Sequence, residues 1–211
     1  MKAFRISITL VLFLAALHAV ADDSDRYTVD LRGAWTSLPG AGRIQGTSDH
    51  LSFARRFGSA AAVSMRVADG STVEFAASDA RMPSTLHAAG TASGRAIRFI
   101  PASLSLLRDL DNRSIVPYVG AGIEYPMLRR AVDVVSMPSL HIIRVEQPDH
   151  PALVLQTGAR MSLGSRWSVG VDAKYVPAAS TFETRTTENR SDGLQTNFHP
   201  FVIATGLGVR F

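Results

Sequence analysis

The residue types that could carry out catalysis or hold a metal are sparse and scattered along this sequence. Beyond residue 21, histidines stand at positions 50, 87, 141, 150 and 199. No two of them are two or four residues apart, so no local metal-ligand spacing is present. The chain has no His-Glu-x-x-His, no Gly-x-Ser-x-Gly, no phosphate loop and no cysteine. We therefore expect no metal site, no cofactor and no enzymatic activity.

One hydrolytic arrangement can nevertheless be drawn around His199. It would add a serine and an acid from the preceding segment, and the available residues are Ser180 or Ser191 with Glu183 or Asp192. No motif ties these residues together, and a catalytic set requires geometry before chemistry. Solvated loop residues are the simpler interpretation.

Charged residues follow a more regular pattern, because they alternate with apolar residues. Asp30 and Arg32 interrupt an apolar row at 29, 31 and 35, and Asp172 and Lys174 do the same between 167 and 175. An arginine or lysine facing lipid at the membrane midplane costs about 2–4 kcal/mol. If the strands cross a membrane, the charged face must point inward and form an ion-pair network. The predicted lumen set is Asp30, Arg32, Arg98, Glu124, Arg160, Asp172, Lys174 and Arg210.

The elements that must position these charges are β-strands with period-two alternation. Eight segments fit, most of them about ten residues long, which suits a tilted strand crossing a bilayer. They are 27–35, 59–68, 72–77, 96–107, 115–125, 152–163, 167–175 and 201–211.

The connections between these segments alternate strictly between short and long. Short turns are predicted at 69–71, 108–113 and 164–166, and long irregular loops at 36–58, 78–95, 126–151 and 176–197. Eight antiparallel strands with both termini in the periplasm require this order. We predict an all-β fold, an eight-stranded antiparallel transmembrane β-barrel in the bacterial outer membrane.

The N-terminus has the pattern of a cleaved signal peptide. Lys2 and Arg5 precede a short apolar run, and Ala19 and Ala21 have the spacing that signal peptidase recognises. The predicted domains are a signal peptide over 1–21 and a barrel over 22–211; an uncleaved anchor is the alternative.

Cleavage lowers the net charge from +4 to about +2. With arginines scattered along the chain, nucleic acid is not an expected partner.

Two further groups of apolar residues have predicted positions. Aromatic residues at strand ends suit the interfacial girdles of a membrane barrel, and they are Trp35, Tyr125, Trp167, Tyr175, Phe201 and Phe211. Apolar residues near the outer mouth are Leu38, Leu128, Leu140, Ile142 and Ile143; loop burial is their alternative role.

Alternation alone also fits a soluble β-sandwich or lipocalin-like barrel with its apolar face inward.

Two motifs carry a resemblance to a known family. The segment 116–125 reads Val-Pro-Tyr-Val-Gly-Ala-Gly-Ile-Glu-Tyr, it follows the Ile-Pro-Ala-Ser-Leu of 100–104, and the chain ends on Arg210-Phe211. Together with the strand at 166–175 and the His199-Pro200-Phe201 stretch, these resemble the OmpW family of small outer-membrane barrels. The resemblance spans the mature chain from Tyr27 to Phe211.

The resemblance implies a function and partners. It implies a narrow barrel that binds small hydrophobic molecules or passes them across the outer membrane. The lipid bilayer is then a partner, and a terminal Phe211 resembles the signal that the outer-membrane assembly machinery recognises. A structural or adhesive barrel, with a closed lumen and loops that contact outside partners, is the alternative.

Overall fold

The computed structural model describes residues 26–38, 42–44, 50–88, 91–111, 114–129, 134–136, 141–145, 151–177, 182–185, 191–195 and 199–211. Its eight long strands are β1 (Tyr27–Ser37), β4 (Arg56–Ala68), β5 (Ser71–Ala88), β6 (Thr91–Asp109), β7 (Ile115–Arg129), β10 (Ala152–Ser162), β11 (Trp167–Tyr175) and β14 (Phe201–Arg210). Six short strands are β2 (Gly42–Ile44), β3 (His50–Phe53), β8 (Val134–Ser136), β9 (His141–Val145), β12 (Phe182–Arg185) and β13 (Ser191–Gln195). The predicted signal peptide lies outside the described residues.

The eight long strands close into an antiparallel barrel. Their order is β4-β1-β14-β11-β10-β7-β6-β5, and pairing of β4 with β5 completes the ring. The first strand also pairs with the last: Tyr27 donates to the Phe211 carbonyl at 3.3 Å, and Phe211 donates to the Tyr27 carbonyl at 2.9 Å. Closure leaves no free strand edge in the ring, which a sheet in hydrocarbon requires. The predicted eight-stranded barrel is confirmed.

The faces of the barrel are those of a membrane protein. Leu31 is 55% exposed and Leu207 52%, whereas Glu74 and Asp172 are buried. Successive side chains alternate between the two faces of a strand, so the apolar row points outward and the charged row inward. The soluble alternative, which needs the opposite arrangement, is wrong. No helix in the described part of the chain is long and apolar enough to cross a membrane.

The four segments predicted to be irregular loops contain strands. β5 continues to Ala88 and β6 starts at Thr91, so most of the predicted loop at 78–95 is a hairpin. The short strands extend the sheet beyond β5 in the order β3-β2-β13-β12-β9-β8. The prediction missed these strands because apolar and polar residues do not alternate clearly in these stretches. The strands form because pairing with a neighbouring strand satisfies their backbone hydrogen bonds.

The predicted girdle residues lie near the two ends of the membrane band. Tyr125 and Tyr175 are each 39% exposed near the long-loop end, and Trp167 is 54% exposed next to a short turn. Trp35 and Phe201 pack edge to face with ring centroids 6.5 Å apart. Phe211 follows β14 at the short-turn end, beside Tyr27.

Candidate functional site

The centre of the lumen is occupied by a network of buried ions. The Nη2 atom of Arg32 lies 2.7 Å from Oε2 of Glu74 and 3.2 Å from Oδ2 of Asp30, and its Nη1 lies 2.9 Å from Oδ1 of Asp172. Nζ of Lys174 lies 3.1 Å from Oε1 of Glu74. We call these five residues the central ion layer.

Neutral groups complete the hydrogen bonding of this layer. Gln156 donates through Nε2 to Oε1 of Glu74 at 2.8 Å, and Lys174 donates to Oγ of Ser103 at 3.0 Å. Glu74 therefore accepts from groups on β1, β10 and β11, across the whole width of the lumen. A buried charge is tolerated only when it is paired and hydrogen-bonded, and this layer meets that condition at Glu74.

Small residues on neighbouring strands make room for the layer. Ala60 and Ala62 of β4 pair with Arg32 and Asp30 in the register, between β1 and β5. On the other side of β1, a Cβ placed on Gly206 would lie 2.7 Å from both Cα and Cγ of Arg32. Any larger residue there would meet the arginine and its backbone, so the glycine is required by this close approach.

Below the ion layer, toward the short turns, the lumen is filled by Leu107 and Tyr118. Both side chains are buried, and the guanidinium of Arg160 lies 5.2 Å from the centroid of the Tyr118 ring. Arg160 also forms an ion pair with Asp109. A polar cavity of about 50 Å³ remains here, bordered by Asp30, Arg32 and Asp172 of the layer. The periplasmic half is thus polar and largely filled.

Above the ion layer, toward the long loops, the lumen becomes apolar. Two clusters of buried side chains line it: Ala34, Val202 and Ala204 on one side, and Ala152, Val154 and Val176 on the other. Farther out, Met82 and Phe99 are almost fully buried. A second cavity of about 30 Å³ lies directly on the layer, and its lining includes Arg32, Lys174 and Val202. The layer therefore lies between a polar periplasmic half and an outer half that is lined mainly by apolar side chains, with Glu124, Thr36 and Ser37 as buried polar exceptions.

The barrel wall is interrupted beside the second cavity. The pairing of β5 with β6 stops after Ala77 and Ala102 and resumes at Ala80 and Phe99. Pro101 lies in this interval and has no N–H to donate to the ladder. Ala61, Ala77 and Pro101 border the cavity at this level. The outer half of the lumen thus reaches a part of the wall where the strand pairing is incomplete.

Comparison with known proteins decides the family. The profile of the OmpW family matches residues 61–211. The chain belongs to the OmpW family. No curated protein matches the sequence significantly. As an OmpW-family protein, it is located in the bacterial outer membrane.

Solved structures agree with the OmpW-family fold. OprG from Pseudomonas aeruginosa is 14% identical with a TM-score of 0.70, covering 89% of this chain and 96% of that one. AlkL, determined in DMPC bilayers, is 19% identical with a TM-score of 0.64, covering 90% and 91%. Outer membrane protein W of E. coli is 16% identical with a TM-score of 0.58, covering 90% and 100%.

The structure of this OmpW-family chain brings together half of the predicted lumen set. Asp30, Arg32, Asp172 and Lys174 form the central ion layer with Glu74, the acid that joins Arg32 to Lys174. The alternation of Glu74 with Val73 and Phe75 already places this acid on the inward charged face, but its central position in the network follows only from the structure.

The other predicted lumen residues lie elsewhere. Arg160 is inside but pairs with Asp109, and Arg210 borders the periplasmic cavity. Glu124 is buried on the outer side of the layer and borders the second cavity together with Lys174.

Arg98 is a correction to the predicted lumen set. Arg98 lies an even number of residues from Leu104 and Leu106, which are 47% and 57% exposed. The pairing of β6 with β7 has no register shift between residues 98 and 106, so the three side chains share one face. Arg98 therefore belongs to the outer face of β6, where it pairs with Asp79.

The predicted mouth and hydrolytic residues are placed only in part. Leu38 is largely buried, and Leu128 pairs with Phe99 through the backbone. Ile142 and Ile143 pair with β8, their side chains being outside the described part, and Leu140 lies outside it entirely. His199 stacks near Tyr175 with ring centroids 6.1 Å apart. Ser180 lies outside the described residues, and only the backbones of Glu183, Ser191 and Asp192 are described.

Proposed function

We propose that this barrel takes small apolar molecules into the outer half of its lumen and releases them sideways into the membrane. The observation that carries the proposal is the interrupted β5–β6 ladder at Pro101, which lies beside the cavity on the apolar side of the central ion layer.

A straight route through the barrel is unfavourable for such a molecule. The central ion layer crosses the lumen from β1 to β5 and β11, and Arg32 donates hydrogen bonds to both Glu74 and Asp172. Opening it would leave buried charges unpaired, a change of several kcal/mol for each ion. An apolar solute offers no polar group to compensate, so it would stop above the layer.

A sideways route meets much smaller barriers. Ala61, Ala77 and Ala102 form one register row across β4, β5 and β6, so the outer face carries only methyl groups there. Pro101 removes a ladder hydrogen bond from the same region. A molecule leaving through this wall would pass between apolar surfaces on both sides.

The closed ion layer also fits the second candidate, a structural barrel whose loops contact partners. In that case the ladder interruption would have no role in uptake. The two candidates therefore differ in one measurable property, which is whether the wall at Ala77 controls the entry of apolar molecules.

The test uses cells that produce the full-length protein and the fluorescent apolar probe N-phenyl-1-naphthylamine. We expect faster probe uptake than in cells without the protein. Ala77→Leu should reduce uptake by covering the wall, whereas the control Ala121→Leu, at another exposed alanine of the lipid face, should not. The purified protein should show no ionic conductance in planar bilayers, because the ion layer is closed. Equal uptake by wild type and Ala77→Leu would reject the sideways route in favour of the structural barrel.

A further inference from the structure

Two arginines stand side by side on the outer face of the barrel near the long-loop end. Arg81 of β5 is the register partner of Arg98 on β6. Arg81 is exposed between Ala80 and Met82, which are buried at 1% and 0%. The outward direction of Arg81 follows from this alternation.

The arginines lie beyond the hydrocarbon part of the membrane. Ala77, Ala102 and Tyr125 form one register row, and Tyr125 belongs to the outer aromatic girdle. Arg81 and Arg98 are each four residues farther along their strands toward the long loops. At about 3.3 Å per residue and a tilt of about 40°, this is about 10 Å farther out. The position corresponds to the headgroup region.

The local charge of this row is unbalanced. Asp79 accepts from Nε of Arg98 at 2.7 Å and makes a second contact with its Nη2. Within the described part of the chain, no carboxylate lies within ion-pair distance of Arg81. Like charges directly opposite each other on neighbouring strands repel. One carboxylate between two guanidinium groups leaves a surplus positive charge that an additional anion would neutralise.

The surface below the arginines is apolar and exposed. Leu104 and Leu106 continue the outer face of β6 toward the membrane centre, and Phe75 lies on β5 beside them. A ligand that fits both parts carries an anionic headgroup and acyl chains. Guanidinium groups bind phosphate oxygens in a bidentate geometry that suits their planar fork.

We propose that Arg81 and Arg98 form a binding site for the phosphorylated headgroup of an outer-leaflet glycolipid of the lipid A type. The phosphate lies between the two guanidinium groups, and the acyl chains run along the apolar stripe of β5 and β6. Asp79 holds Arg98 in place and competes with the phosphate for it. This site is on the outside of the barrel and is independent of the proposed solute route.

The test is lipid titration of the purified full-length barrel in detergent, followed by native mass spectrometry. Diphosphorylated lipid A should bind more tightly than its monophosphorylated form or phosphatidylglycerol. Arg81→Gln and Arg98→Gln should each weaken lipid A binding about fivefold, since one arginine near a lipid surface contributes about 1 kcal/mol. Asp79→Asn should bind at least as tightly as wild type.

The matched control is Arg166→Gln, which removes the same charge from an exposed turn at the opposite end of the barrel. It should leave lipid A binding unchanged, and Arg81→Lys with Arg98→Lys should bind with intermediate strength. If Arg166→Gln weakened lipid A binding equally, the effect would come from the overall charge of the protein, and the proposed site would be rejected. Displacement of lipid A by millimolar inorganic phosphate would instead assign the arginines to free phosphate and also overturn the proposal.

Discussion

Nη2 of Arg32 lies 2.7 Å from Oε2 of Glu74, although β1 and β5 are not neighbours and β4 lies between them. The contact crosses the lumen over the alanine side chains of β4, which are too short to block it. This pair is the centre of the layer that divides a polar periplasmic half from an apolar outer half.

Removing Arg32 should strongly destabilise the barrel. Arg32→Met leaves the carboxylates of Glu74, Asp172 and Asp30 with fewer partners, and breaking a buried pair in this way costs about 3–5 kcal/mol. The measurement is the urea midpoint of the heat-modifiable band on a gel, in detergent micelles. Arg166→Met is the control, because Arg166 is exposed in the short turn between β10 and β11. Similar midpoints for the two variants would contradict the role given to Arg32.

Two glycines that face each other across β11 and β14 should respond differently to the same change. A Cβ on Gly206 would clash with the carbonyl oxygen of Leu31 and lie 2.7 Å from Cα of Arg32, whereas a Cβ on its partner Gly170 would be 3.5 Å from its nearest neighbour, the carbonyl oxygen of Ala159. Gly206→Ala should therefore destabilise by about 1–3 kcal/mol, as overpacking does, and Gly170→Ala should be close to neutral. Urea unfolding of both variants tests this. Equal stability of the two variants would contradict the prediction, because it would show that β1 can move away from a side chain at position 206.

Restoring an N–H at position 101 should strengthen the wall between β5 and β6. Pro101→Ala allows a further ladder hydrogen bond, with a net contribution of about 0.5–1.5 kcal/mol. We expect higher urea resistance together with slower entry of N-phenyl-1-naphthylamine. Pro117→Ala, near the short-turn end of β7, serves as the comparison and should not slow entry. If Pro101→Ala were more stable but the probe entered at an unchanged rate, the incomplete pairing at Pro101 would have no role in uptake.

The terminal aromatic residue should act during assembly more than in the folded barrel. Phe211 closes the ring with Tyr27 through backbone bonds that any residue can make, so Phe211→Ala should still refold in detergent. In cells, the same variant should yield much less heat-modifiable protein in the outer membrane, and Phe211→Tyr should be close to wild type. If cells contained normal amounts of Phe211→Ala in the outer membrane, Phe211 would not be a signal for the assembly machinery.

Local alternation was sufficient to predict much of the barrel. In 27–35 and 167–175, the parity of each residue assigns it to lipid or lumen, because a strand places successive side chains on opposite faces. Strict parity would also have placed Arg98 with Leu104 on the outer face. Assigning Arg98 to the lumen set was an error of one residue in the alternation, which exchanges the two faces of a strand. The hairpin above Ala77 was less accessible, since its pairing depends on neighbours distant in the sequence.

The sequence alone determined the number of membrane strands, their alternating short and long connections, and the inward position of Arg32 and Asp172. These features depend on periods and lengths that are local to the chain. The tertiary structure decided that Glu74 joins Arg32 to Lys174, that the pairing of β5 with β6 stops at Pro101, and that Arg81 and Arg98 share one row. These relationships depend on register and barrel closure, which bring together side chains from strands far apart in sequence.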